Sequence, residues 1–190
     1  MKKTIALLLA ALMIFSVALA EEPSKTADDV AQVISVEIKD PNGNYGPVPE
    51  FVGLTIELLE NQQQIDALAE IERFLKVTGK PVGEIFPEDI REAYKDKDVE
   101  LNELSGLYVS GYDPFFGDVL VTMQFPTVYE ATQEIFPAVA IIDEAGAVTW
   151  YNVGAPEVLE DGTLKVTLEA SLLEKLNDAP GAIIAILNTK

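Results

Sequence analysis

The sequence has no cysteine and no histidine, and only 13 of its 190 residues are lysine or arginine. Each scarcity removes chemistry. Without cysteine there are no disulfide staples, so packing alone must hold the fold. Without histidine no Ser-His-Asp triad can assemble, and a Cys-His pair is doubly excluded. Zinc, copper and haem sites built on imidazole or thiolate go with them. What remains is carboxylate chemistry, Ser-Lys chemistry, oxygen-ligated calcium, or binding without reaction. Against the few basic residues stand 32 acidic ones, for a net charge of −19. Such a surface cannot displace counterions from phosphates, which excludes nucleic acid as a partner. It repels anionic lipid as well, and suits cationic partners or plain solubility.

Long apolar runs are also scarce, with one exception. Ile5 to Ala20 is interrupted only by Ser16, follows Lys2 and Lys3, and ends in Ala18-Leu19-Ala20 before Glu21. A charged start, an apolar middle and small residues at the end are the three regions of a secretory signal. Residues 1–20 are therefore read as a cleavable signal peptide. The run is shorter than the roughly 20 apolar residues a spanning helix needs, and no membrane span is expected after cleavage. The mature protein is expected to be secreted, in an extracellular setting. Removing Lys2 and Lys3 leaves 11 basic against 32 acidic groups, a net charge of −21.

Along the mature chain, residues 21–30 are polar and acidic and read as a mobile leader. Val33 to Ile38 reads as a short strand, stopped by the turn-forming Asp40-Pro41-Asn42-Gly43-Asn44. Phe51 to Leu59 suits either a strand or the start of a helix. Over 61–77, Ile65, Leu68, Ala69, Ile71, Phe74 and Leu75 recur every three or four residues, which predicts an amphipathic helix. Asn61 suits its N-cap, Gly79 its left-handed C-terminal position, and Pro81 blocks continuation. A short helix is predicted from Pro87 to about Lys95, with Glu88 and Asp89 near its positive end.

From residue 99 the period becomes two. Val119, Val121, Met123 and Phe125 share one face of a strand, and Leu120, Thr122 and Gln124 share the other. Leu164–Leu168 repeats the pattern with Lys165 and Thr167 outward. Ala138–Ile142 and Ala182–Leu187 read as central strands, and Leu104–Ser110 and Val148–Val153 as two more. Glu144-Ala145-Gly146 and Glu160-Asp161-Gly162 are hairpin connectors, and Ser171–Leu176 is one or two turns of helix. Six strands in this order suggest an antiparallel β-sandwich. The fold class expected is α+β: a mainly helical region over 31–98, packed on an antiparallel β domain over 99–190.

Three stretches carry a family resemblance: Gly79 to Pro87, Tyr112 to Thr127, and Leu168 to Leu187. On these the chain resembles uncharacterised exported proteins of Gram-positive anaerobic bacteria. The resemblance implies an exported protein with a helical segment followed by a small β domain, and brings no activity or site residues with it.

Candidate sites are few. Asp40, Asn42 and Asn44 place oxygen side chains at alternate positions, as a calcium loop begins. Tyr45 and Phe51 stand where an EF-hand needs Gly and Glu, so only an irregular calcium site or an ordinary Asx-rich turn fits. Tyr112, Asp113, Phe115, Phe116 and Asp118 form a loop with three aromatics and two acids. Exposed, it would stack on a sugar ring while the acids bound hydroxyls; buried, it would plug the end of the sandwich. Ser171 and Lys175, four apart on a helix, are a conceivable dyad. The acid pairs Asp143–Glu144, Glu160–Asp161 and Glu88–Asp89 fall at turns or a helix start, where acids are simply solvated. No catalytic residue is assigned, and no cofactor beyond calcium is considered. The function expected is an exported, non-enzymatic binding or structural module whose partner is an unknown protein or glycan. The alternative is a carbohydrate-active protein, either a calcium-assisted sugar binder or a carboxylate glycosidase.

Overall fold

The structure is a computed structural model that describes residues 31–40, 42–49, 52–59, 77, 79, 86–95, 97–145, 148–177 and 179–189. In chain order the strands are β1 (Gln32–Lys39), β2 (Tyr45–Pro47), β3 (Thr55–Leu59), β4 (Val99–Ser110), β5 (Val119–Gln124), β6 (Ile135–Ile142), β7 (Val148–Asn152), β8 (Glu157–Val158), β9 (Leu164–Leu168) and β10 (Gly181–Thr189). Two short helices join them, α1 (Glu88–Arg91) and α2 (Ala170–Asn177). The strands form two antiparallel sheets. The front sheet has the order β2-β1-β5-β9-β8 and the back sheet the order β3-β4-β10-β6-β7.

Alternation decides which face each strand buries. On β5, Val119, Val121 and Met123 are fully buried, and on β9 so are Leu164, Val166 and Leu168. They meet Ile56, Leu58, Leu107, Val109, Val139, Ile184 and Ile186 of the back sheet in one core. Burying an aliphatic side chain of this size contributes about 1.5–3 kcal/mol relative to leaving it in water, so this layer is the main source of stability. The opposite face of the front sheet is wetter. There Lys165 reaches over β5 to Glu37, with an N–O distance of 3.0 Å.

The back sheet is covered on both faces. Phe86, Ile90 and Tyr94, spaced by four, lie on one side of α1 and the 3-10 turn after it. They bury against Leu104, Ala138, Ala140, Ile183, Ala185 and Leu187. Phe86 meets Trp150 edge-on at 4.8 Å, and Tyr94 meets Phe136 at 5.7 Å. This is why β10 is an unbroken apolar run: it pairs with β4 on one side and β6 on the other, with a core above and below. Trp150 and Tyr151, neighbours on β7, point opposite ways and are both half-buried: Trp150 packs on the outer cluster and Tyr151 on the inner one.

All six strands expected after residue 99 are present. The expected division at residue 98 is not a division of the sheets, because β1, β2 and β3 belong to the same two sheets as the later strands. The described part of 31–98 therefore holds more strand than helix, and the described molecule is mostly β. Of the run that suited strand or helix, Thr55–Leu59 is strand: Ile56 and Leu58 face the core and Glu57 faces out. The helix expected over 61–77 lies outside the described residues, apart from Val77. Gly79 has φ +64, the left-handed conformation expected of it. The short helix after Pro87 is present as α1 and its 3-10 continuation to Tyr94.

Candidate functional site

The aromatic loop was the first candidate, and its residues do not converge on one surface. Tyr112 is buried and donates its hydroxyl to the Gly117 carbonyl at 2.9 Å, while its amide donates to Asn177 Oδ1 at 2.9 Å. Burial is the main reason its phenol titrates above the usual range, with Glu174 next. Phe116 is half-buried, edge-on to Tyr112 at 6.3 Å. Asp113 is spent on structure: its Oδ1 accepts the Phe115 amide and caps the short 3-10 turn. Asp118 accepts the Ala170 amide at the start of α2 and faces Lys39 at 3.6 Å. Phe115 alone of the three rings is exposed, at 88%. The loop closes the end of the sandwich; it presents one ring to solvent and no stacking platform.

At the other proposed site, Asp40 Oδ1 accepts the amides of Asn42 and Asn44 at 2.8 and 2.9 Å. The Asn44 amide bond is the chief reason the Asp40 carboxyl titrates below its ordinary range. The carboxylate thus holds a turn between β1 and β2, with the side-chain amides of both asparagines turned toward it. Among the described residues no three acids gather where they would hold a metal ion.

The remaining candidates are dispersed. Lys175 donates to the Ser171 carbonyl oxygen at 2.8 Å rather than to its hydroxyl, and lies 5.9 Å from the Tyr151 ring centre. Both border a small recess of about 120 Å³ between α2 and the ends of β7 and β9. Asp143 and Asp161 cap their own turns, at Ala145 and Thr163. Among the described residues, Ser105 Oγ and Asn188 Oδ1 are buried without a hydrogen-bond partner, and the buried Tyr129 hydroxyl faces Asn102. Residue Tyr129 is only 2% exposed, so its phenol, pushed upward mainly by burial, faces no open site.

A different surface stands out on the flank where β1 and β3 come together. β2 pairs with β1 only over Glu37–Lys39, so Gln32–Val36 have a strand neighbour on the β5 side alone among the described residues. Among the described residues β3 is the edge of the back sheet and pairs only with β4. These two open stretches, Gln32–Val36 and Leu54–Leu58, line one groove of about 510 Å³. Val33, Val36, Leu54, Ile56 and Leu58 of its lining pack on the inner core, and the polar Gln32, Ser35, Thr55 and Glu57 line it as well.

The register of β1 explains the groove's exposed ring of apolar surface. Val33 pairs with Met123 and Ser35 with the adjacent Thr122, which leaves Ile34 as an extra, bulged residue. A bulge turns a side chain out of the pleat. Ile34 is 52% exposed in consequence, at the mouth of the groove. Reading the sequence missed this site, since a bulge leaves no period of its own; the Ile56-Glu57-Leu58 alternation was the available signal for β3.

No family model matches the chain, and no curated protein or solved structure matches it.

Proposed function

We propose that this chain is an exported, non-enzymatic binding module whose contact surface is the flank between β1 and β3. A partner protein engages it there by laying an extended segment along the edge of β3, so that the back sheet gains a strand. One observation carries the reading: two strand edges that have no further strand neighbour among the described residues line a single groove, and a bulge places Ile34 at its mouth. Backbone groups on an open edge are strong donors and acceptors without a strand partner, which gives affinity for any extended chain. The apolar part of the lining supplies burial. The lack of histidine and cysteine, and the structural duties of Asp113, Asp118, Asp143 and Asp161, support binding over catalysis. The sugar-binding alternative has less support, since Tyr112 and Phe116 pack inward.

Export is tested by N-terminal sequencing of protein recovered from the medium, which should begin at Glu21. Binding is tested by following backbone amide resonances while a varied panel of strand-forming peptides is titrated. Shifts confined to Gln32–Val36 and Thr55–Leu59 are expected for some members. A panel that leaves both stretches unmoved retires the reading, and shifts at Tyr112–Asp118 with oligosaccharides would move the site to the loop.

A further inference from the structure

Resting on the reading above, we infer that the segment accepted by β3 is cationic, with an apolar–basic–apolar pattern centred on Glu57. The argument is one of register and charge. Glu57 is the middle residue of β3 and is exposed, while Ile56 and Leu58 on either side face the inner core. Directly opposed residues on neighbouring strands point to the same face. A residue placed opposite Glu57 therefore points outward beside it, and its two neighbours, opposite Ile56 and Leu58, point over the apolar groove toward Ile34. The inward positions need apolar side chains. The outward one meets a carboxylate, and a lysine or arginine there makes a cross-strand ion pair.

The same register argues against a second copy of this chain. Two β3 strands paired antiparallel about their centres would set Glu57 against Glu57, a destabilising like-charge pair. Each copy also carries a net charge of −19, which opposes their approach at low salt. A basic segment meets attraction on both counts.

The experiment uses the protein after signal removal and three blocked peptides of about seven residues, an ordinary strand length. One alternates valine with lysine, one valine with threonine, and one valine with glutamate. The lysine peptide should bind about fivefold or more tighter than the threonine peptide, with the glutamate peptide weakest, and amide shifts should centre on Thr55–Leu59. Glu57→Lys should invert the order of the lysine and glutamate peptides. Glu144→Lys, which changes net charge equally at a remote exposed turn, should keep it.

Equal binding of all three peptides at this flank, or an order that follows Glu144→Lys as much as Glu57→Lys, overturns the charge inference while strand addition stands. No binding, with rapid exchange at the β3 amides, overturns both. Slow exchange in the free protein at the β3 amides that point away from β4 overturns both as well, because the chain then covers its own edge. Protection that grows with protein concentration, alongside a doubled mass in sedimentation, replaces the basic partner by a second copy.

Discussion

Two margins of the sandwich meet the same problem and solve it differently. Where β9 hands over to β10, α2 crosses between the sheets and drives Leu172, Leu173 and Leu176 into the inner core. Its start is tied to Asp118 and its end to Tyr112, so loop and helix close that margin together. Where β1 and β3 come together, the described residues include no such bridge. Apolar residues line it too, but the strand edges are open and Ile34 is turned out. On the function proposed above, the bridged margin serves stability and the other serves contact, since an open edge is a hazard that proteins ordinarily blunt.

That contrast can be broken by substitution. The largest effect is expected from Leu173→Ala, at a fully buried site of the bridged margin. It should cost about 2–5 kcal/mol, read as a lower denaturant midpoint. A loss under about 1 kcal/mol would mean the helix is not integral to the core. Next comes Gly111→Ala. Gly111 has φ +67, and a Cβ there would run into the Gly53 carbonyl just before β3. The left-handed backbone alone should cost about 1–2 kcal/mol, and exchange at the β3 amides should quicken before that at β10.

A third test uses pH on the covered face of the back sheet. Burial pushes the Tyr94 phenol up to about 12, partly opposed by Arg91. Its folded value lies above its ordinary 10, so the contribution is whole below pH 10 and is lost as pH rises toward 12. Tyr94→Phe should flatten the fall in stability over that alkaline window. The smallest change in stability is expected from Ile34→Ser, within about 0.5 kcal/mol, as for an ordinary surface substitution. That variant should nonetheless weaken strand binding several-fold. A large loss of stability instead would make Ile34 part of the core and erase the contrast.

Much of the fold was legible because alternation reports burial directly. Val119, Val121 and Met123 sit where their period puts them, and Leu164–Leu168 likewise. Pro87 marked the start of α1, where it stands at the N-cap with extended backbone, one residue before Glu88. The role of the early strands was not legible. The period of β1 is broken by the extra Ile34, while β3 lies in a run whose apolar density suits helix or strand equally. Their place in both sheets depends on pairings across long sequence distances, such as Val36 with Val121, which no local pattern encodes. The loop 112–118 showed its composition and not its direction. Whether Tyr112 plugs or protrudes is decided by Asn177, far along the chain.

The position of β10 has a consequence for how the molecule comes into being. It is the last described strand in the chain, yet it lies at the centre of the back sheet, between β4 and β6. Until it emerges, β4 and β6 lack their common neighbour and both cores want their middle row. A polypeptide threaded through a narrow channel from its first residue onward would thus stay pliable until β10 had passed, and would lock into shape only on the far side.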